Sequence, residues 1–471
     1  MEPMRGLDAK FLYSETPTAH MHTLKVAVLD VSPMSDAFSV DVLVDYLEDR
    51  LDRLPPFRRR VVPVPLSLGH PVWIEDPDFD IRRHVHRRRV EPPGGDRELA
   101  AVVEDVAGHP LPRDRPLWEI AVVEGLAGGR VAVVAKIHHA VADGATSVAL
   151  LLQVLTETGT AAAGAPWHPE PVPSRLHLLR MALAEHRPRL RGLPALLLRS
   201  VRGLREAARR RRAARVRPPL PLFTPRTPLN VSLTGERTFA MTTVPLEELK
   251  LVRRAFDTTL NDVFLAMCGG ALRRYLQQTG TLPRRPLVAS VPLATSPSSP
   301  RRGGNYVDNL YVSIATDVED PLARLRAVHA SASGAKEVRA ALGTDLLEER
   351  AEVVPPQLYS LTIRAWTRSK LADHVPPPVN VVLSNVAGPP EIIKVEDLAI
   401  LEAIYSVGPI LEGIGCNITA WSYGGQLHLS VLGCPRSIPD PWPLVAALRD
   451  SLAELTDAAR AAGAPAPAPV A

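Results

Sequence analysis

Long apolar runs are missing from this chain. Of its 471 residues 46% are hydrophobic, yet no uninterrupted apolar stretch approaches the roughly 20 residues needed to cross a bilayer. A membrane-spanning helix is therefore not expected. The start lacks a charged-then-apolar leader, and residues 1–15 read as folded sequence. Cysteine is scarce: Cys268, Cys416 and Cys434 are scattered, match no metal-ligand spacing and suit a reducing compartment. A cytoplasmic protein is expected. No Gly-x-Ser-x-Gly elbow occurs, which removes the usual serine nucleophile. No aromatic interleaving accompanies the basic residues, so nucleic acid is not an expected partner. No internal repeat is visible.

Charge is present but segregated. The net value is +4, while residues 175–217 alone hold fourteen arginines against two glutamates, Glu185 and Glu206. The rest of the chain is thus net acidic. In the same segment Leu176, Leu179 and Leu183, then Leu193, Leu196, Leu197, Val201 and Leu204, recur at helical spacing. Pro188 and Pro194 are expected to break this helix into pieces, and Arg209, Arg210, Arg211 and Arg212 complete a basic cluster. Such a connector suits an anionic membrane or lipid-droplet surface. A solvated, arginine-rich linker reads the same way.

A chain of this length is too long for one core, and two domains are expected. The first covers residues 1–160 and the basic connector 161–222. The second covers 223–456, and an Ala/Pro-rich tail, 457–471, is expected to be disordered. In the second domain residues 245–256 and 262–278 read as helices. Residues 287–291, 310–314, 379–384, 415–421 and 427–431 read as strands.

The densest chemistry lies at His138-His139-Ala140-Val141-Ala142-Asp143-Gly144. A β-branched run, residues 131–137, leads into it, and an apolar helix-forming run, residues 147–155, leaves it. Period-two alternation puts His139 on the face of Val133, Ala135 and Ile137, and His138 on that of Ala132, Val134 and Lys136. One cleft can therefore use only one of the two rings. Neutral imidazole removes protons near neutral pH. With no paired nucleophile in evidence, direct base catalysis on a substrate hydroxyl or amine is the economical reading. Asp143 then holds the loop as a structural carboxylate, and Gly144 allows close approach or a positive φ. A metal site is disfavoured, because His139 and Asp143 at i and i+4 have no third ligand nearby. A core histidine beside a surface one is the bland alternative for the pair. His20, His22, His84 and His86 read as structural or surface.

His-His-x-x-x-Asp-Gly is similar to the signature of the CoA-dependent acyltransferase superfamily, which includes peptide-synthetase condensation domains. Further segments resemble one branch, the bacterial wax ester synthase/diacylglycerol acyltransferase family. These are Leu7-Asp8-Ala9-Lys10-Phe11-Leu12, Pro116-Leu117-Trp118-Glu119, Asn261-Asp262-Val263-Phe264-Leu265-Ala266, Gly304-Asn305 and Ser384-Asn385-Val386-Ala387-Gly388-Pro389. Val291-Pro292-Leu293-Ala294-Thr295 departs from the family pattern, which bears on local channel shape and acceptor preference.

The resemblance implies an α/β fold of two chloramphenicol-acetyltransferase-like domains, each a mixed sheet with helices, with the active-site channel between them. It implies His139 as general base and Asn261 as the amide that steadies the thioester oxyanion, with His138, Asp143, Gly144 and Asp262 in support. Asn261 also falls at a helix start, where Asn is a favoured N-cap, and Asp262 suits a first helical turn. Trp118 is expected to line or support the channel, and Ser384, at the end of the 379–384 strand, and Asn385, in a turn after it, to border the channel. Implied substrates are acyl-CoA, as co-substrate rather than bound cofactor, and diacylglycerol or a long-chain alcohol. The remaining alternatives are a condensation-type acyltransferase and a non-catalytic lipid-surface protein.

Overall fold

The computed structural model describes every residue except 33–37, 52–53, 143–145, 147–153, 155–168, 170, 215, 221–222, 295–306, 341–354, 397 and 464–471. Strand β1 (Glu2–Pro3) and helix α1 (Gly6–Ser14) come first, followed by β2 (His22–Asp30) and α2 (Val40–Glu48). Next are β3 (Arg59–Val62), β4 (Val72–Glu75), β5 (Val85–Arg89), α3 (Asp96–Gly108), β6 (Trp118–Glu124) and β7 (Val131–His138). The long helix α4 (Arg175–Ala213) leads to β8 (Thr238–Pro245), α5 (Leu246–Phe256) and α6 (Leu260–Gln278). Strands β9 (Val288–Ala294) and β10 (Val307–Ser313) precede α7 (Pro321–Ala340) and α8 (Pro356–Arg368). The chain closes with β11 (Val381–Ala387), β12 (Lys394–Val395), β13 (Ala399–Val407), β14 (Asn417–Tyr423), β15 (Gln426–Gly433) and α9 (Trp442–Ala461).

Two six-stranded mixed sheets dominate. The first runs β12-β13-β2-β7-β6-β5 and the second β10-β9-β11-β14-β15-β8. A small sheet, β1-β4-β3, stands beside them. The second sheet packs α6 and α9 over one face, with Phe264, Leu265, Leu448 and Leu452 fully buried. The first sheet is covered on one face by α3, through Leu99 and Val103, and there it also meets Phe239 and Met241 of β8. This is the mixed two-lobe α/β architecture expected.

One connection is not local. Strands β12 and β13 follow β11 of the second sheet in the chain, yet they pair at the edge of the first, Tyr405 opposite Val26 and Ser406 opposite Lys25. The two lobes are thereby stitched together.

All five strands expected in the second lobe are present, displaced by one to three residues at their ends. Three expectations need correction. Helix α4 runs unbroken through Pro188 and Pro194. A proline costs a helix one hydrogen bond and a steric clash; buried side chains hold the helix on both sides of the two prolines, Leu178 on Val72 and Ile74 before them and Ala207 after them. Residues 457–461 are not a disordered tail but the last turn of α9, where Ala459 is fully buried. Ser384 lies in a strand as expected, but Asn385 lies within β11 too rather than in a turn, because the strand pairs with β14 as far as Ala387.

Candidate active site

Strand β7 ends where the motif begins. His22 opposes His138 across the β2–β7 ladder, and the His139 N–H donates to the Met21 carbonyl at 2.8 Å. Met21 itself holds a left-handed backbone, φ 51°, uncommon for a side chain of its size. The Val141 N–H closes the turn on the His138 carbonyl at 2.9 Å.

The two imidazoles have different surroundings. His138 is wholly buried. Its Nε2 lies 3.0 Å from Glu15 Oε2, and its Nδ1 accepts the Ala140 N–H at 3.0 Å. Burial pulls its pKa down, against the opposing pull of the Glu15 hydrogen bond. His139 is half-buried, with its ring stacked on Phe11 at 4.1 Å between centroids and 15° between planes. Of the remaining motif residues, Ala140, Val141 and Ala142 are buried. Asp143 and Gly144 lie outside the described residues, as do Gly304, Asn305, Thr295 and, apart from Val154, the run at 147–155.

An apolar cavity of about 120 Å³ lies against the first sheet. Its floor includes Val133, Ala135 and Ile137 of β7 and Ala27 and Leu29 of β2, and Leu43, Tyr46 and Leu47 of α2 cover it. Ile137 stands two residues before His139, so the cavity shares the face that strand alternation assigns to that histidine. Trp118 lines the same space. It is fixed there by its Nε1–H, which donates to the Phe57 carbonyl at 2.7 Å, and by stacking on His84 at 4.3 Å.

Asn261 needs a different local account from the one expected. The N-cap of α6 is Thr259, whose Oγ1 accepts the Asp262 N–H at 3.1 Å, while Asp262 Oδ2 accepts the Thr259 N–H at 3.0 Å. This reciprocal capping box leaves Asn261 in the first helical turn with no capping duty. Among the described residues its side-chain amide has no hydrogen-bond partner. Asp262 is buried and also holds His329 Nδ1 of α7 at 2.8 Å. No hydrogen bond joins Asn261 to His139. Ser384 and Asn385, on β11, pair with Thr419 and Ala420 of β14; Asn385 is exposed and Ser384 half-buried.

Several residues at the site escaped sequence reasoning. Phe11 and Glu15 lie far from the motif in the chain; Phe11 falls in the family-like segment 7–12, which gave it no role at the site, and Glu15 carries no local pattern. His22, read as structural, sits beside His138 with ring centroids 5.8 Å apart, and burial holds its pKa well below the ordinary histidine value. His20 and His84 are buried as well, and His86 is partly exposed near Glu119. Lys25 borders the cavity with its ammonium 2.6 Å from Ser406 Oγ and above the Trp421 ring. Among the described residues no cluster of histidine, cysteine and carboxylate side chains could hold a metal ion.

Residues 4–264 match the wax ester synthase/diacylglycerol acyltransferase catalytic domain, and residues 303–456 match the WS/DGAT C-terminal domain. The chain belongs to this family. It is an acyltransferase of the wax ester synthase/diacylglycerol acyltransferase type. Two Mycobacterium tuberculosis proteins provisionally named diacylglycerol O-acyltransferases are each 38% identical to it. One aligns over 98% of this chain and 97% of its own length, the other over 99% of both. The wax ester synthase/diacylglycerol acyltransferase from Marinobacter aquaeolei VT8 superposes with a TM-score of 0.66 at 26% identity, covering 97% of this chain and 100% of that one. The first condensation domain of the CDA synthetase superposes with a TM-score of 0.57 at 16% identity, over 97% and 96% of the two chains. That second likeness speaks for the fold alone.

Proposed function

We propose that the protein transfers a fatty-acyl group from acyl-CoA to the hydroxyl of a hydrophobic alcohol, diacylglycerol in the first place and a long-chain alcohol in the second. The observation that carries this reading is the apolar cavity whose floor strand runs into His139. It offers an alkyl chain an apolar slot along the strand that ends at the histidine motif.

His139 removes the hydroxyl proton as the oxygen attacks the thioester carbonyl. The carbon–sulfur bond then breaks, and the imidazolium returns the proton to the departing CoA thiolate. Asn261, at the start of α6 with an uncommitted amide, donates to the tetrahedral oxyanion, a contribution on the order of 100-fold. Trp118 shapes the slot, and Ser384 and Asn385 border the acceptor side. Holding both reactants together supplies much of the remaining acceleration. No bound cofactor is required.

CoA release from palmitoyl-CoA with dioleoylglycerol or hexadecanol tests the reading. His139→Ala is expected to lose about 10²- to 10⁴-fold in turnover while staying folded, and His138→Ala much less. Near-wild-type release by the His139 variant excludes the base role.

We further infer a peripheral contact with an anionic lipid surface, such as the inner membrane leaflet or a lipid droplet. Leu197, Val201 and Leu204 of α4 are 63%, 43% and 56% exposed, next to the side that buries Leu196 and Ala207. Exposed Arg202, Arg205, Arg209 and Arg212 flank this stripe, the pattern of a helix lying in a lipid interface. Among the described residues no helix is long and apolar enough to cross a membrane.

A further inference from the structure

Helix α1 touches both histidines of the motif. Phe11, in its last turns, stacks on His139. Glu15, the residue that closes the helix, faces His138 Nε2 at 3.0 Å and ion-pairs with Arg113. On the far side of the His138 ring, Nδ1 accepts the backbone N–H of Ala140.

That pair of contacts dictates a tautomer. A neutral imidazole that accepts at Nδ1 carries its proton on Nε2, and Nε2 is the atom facing the Glu15 carboxylate. With the proton on Nδ1 instead, an N–H would point at the Ala140 N–H, two donors would oppose each other, and the turn would have to move. His139 sits inside this turn, its own N–H on Met21 and the next but one N–H, that of Val141, on the His138 carbonyl. Substrate cannot reach His138, which has no exposed surface.

We propose that Glu15 is a positioning residue for His139: it fixes the Nε2–H tautomer of His138, that ring anchors the Ala140 amide, and the anchored turn aims the His139 imidazole, whose plane Phe11 supports. This rests on His139 being the catalytic base. A misplacement of about 1 Å at a reacting group can cost on the order of 100-fold, so the effect belongs in kcat rather than in substrate binding.

The test is CoA release from palmitoyl-CoA with dioleoylglycerol, kcat and KM measured separately on variants whose melting temperature is recorded. Glu15→Leu should lower kcat about 10- to 100-fold with the palmitoyl-CoA KM little changed. Glu15→Gln, whose amide oxygen still accepts from His138, should restore most of it. In a His138→Asn background, where the ring is gone, Glu15→Leu should add no further loss.

If Glu15→Leu does not fold, the His138 variants read the same relay. Asn places an acceptor near the former Nδ1 and should turn over at least roughly tenfold faster than Leu. Full kcat in Glu15→Leu, equal damage from Gln and Leu, an undiminished Glu15 effect without His138, or equal His138 variants would each overturn the proposal. His139→Ala is the control: if it stays active the base reading itself fails, whereas an inactive His139→Ala beside an unimpaired Glu15→Leu sinks only the role of Glu15.

Discussion

Burial of histidine sets the pH behaviour of this protein one residue at a time. His428 is buried, with its Nδ1 3.0 Å from Thr243 Oγ1. Burial pulls its pKa from 6.5 down to about 4. The folded state therefore binds this proton more weakly than the unfolded chain. The stability His428 contributes is whole above about pH 6.5 and drains away as the pH falls from there towards 4. His22 and His138 are shifted the same way by burial. A falling melting temperature between pH 7 and 4.5 is the expected result. His428→Asn, which can still meet the Thr243 hydroxyl, should make the fall shallower; an unchanged slope would assign the acid sensitivity to other groups. At this scale the sequence was informative about Asp262, which takes the first-turn place expected of it. It was silent about Glu15, whose partner His138 lies 123 positions away.

At the scale of elements, α6 carries the proposed oxyanion donor and β7 leads into the proposed base, and each proposal can be tested through its scaffold. Thr259→Ala removes the oxygen that accepts the Asp262 N–H and should cost about 1 kcal/mol of stability. Because Asn261 rides on the same first turn, turnover should fall further than the lost stability explains, as read by kcat beside a thermal melt. Proportionate loss would confine Asn261 to a passive place in the helix. On β7, Ala135 is a small residue in the cavity floor. Ala135→Leu should fill that space and move acyl preference towards shorter chains, measured by competing octanoyl-CoA against palmitoyl-CoA. An unaltered ratio would place the acyl chain elsewhere. The existence of these elements was legible from their periods, 2 for the strand and 3.6 for the helix. Their ends were not, since Thr259 and Asn261 are both good caps and only the reciprocal bond from Asp262 distinguishes them.

For the whole molecule, the charge segregation and the exposed stripe of α4 converge on one prediction. Sedimentation with phosphatidylglycerol vesicles should be strong at low salt and weak at high salt, since screening shortens the reach of the arginines. Replacing Arg209, Arg210, Arg211 and Arg212 with glutamine should abolish most of it, while Leu197→Ser with Leu204→Ser should weaken what survives at high salt. Equal binding by the four-glutamine variant would return α4 to a solvated connector.

What the linear chain settled by itself is whatever one element carries alone: the alternation that separates the two histidines, the helical spacing of the basic connector, and the motifs that mark the family. These follow from backbone geometry repeated every few residues. The tertiary structure decided the rest. It returned β13 to the first sheet, laid α1 across the motif, and closed α2 over a strand face to leave an apolar slot. Such adjacencies join segments tens to hundreds of residues apart, where no local period operates and only the packing of complementary surfaces selects the partner.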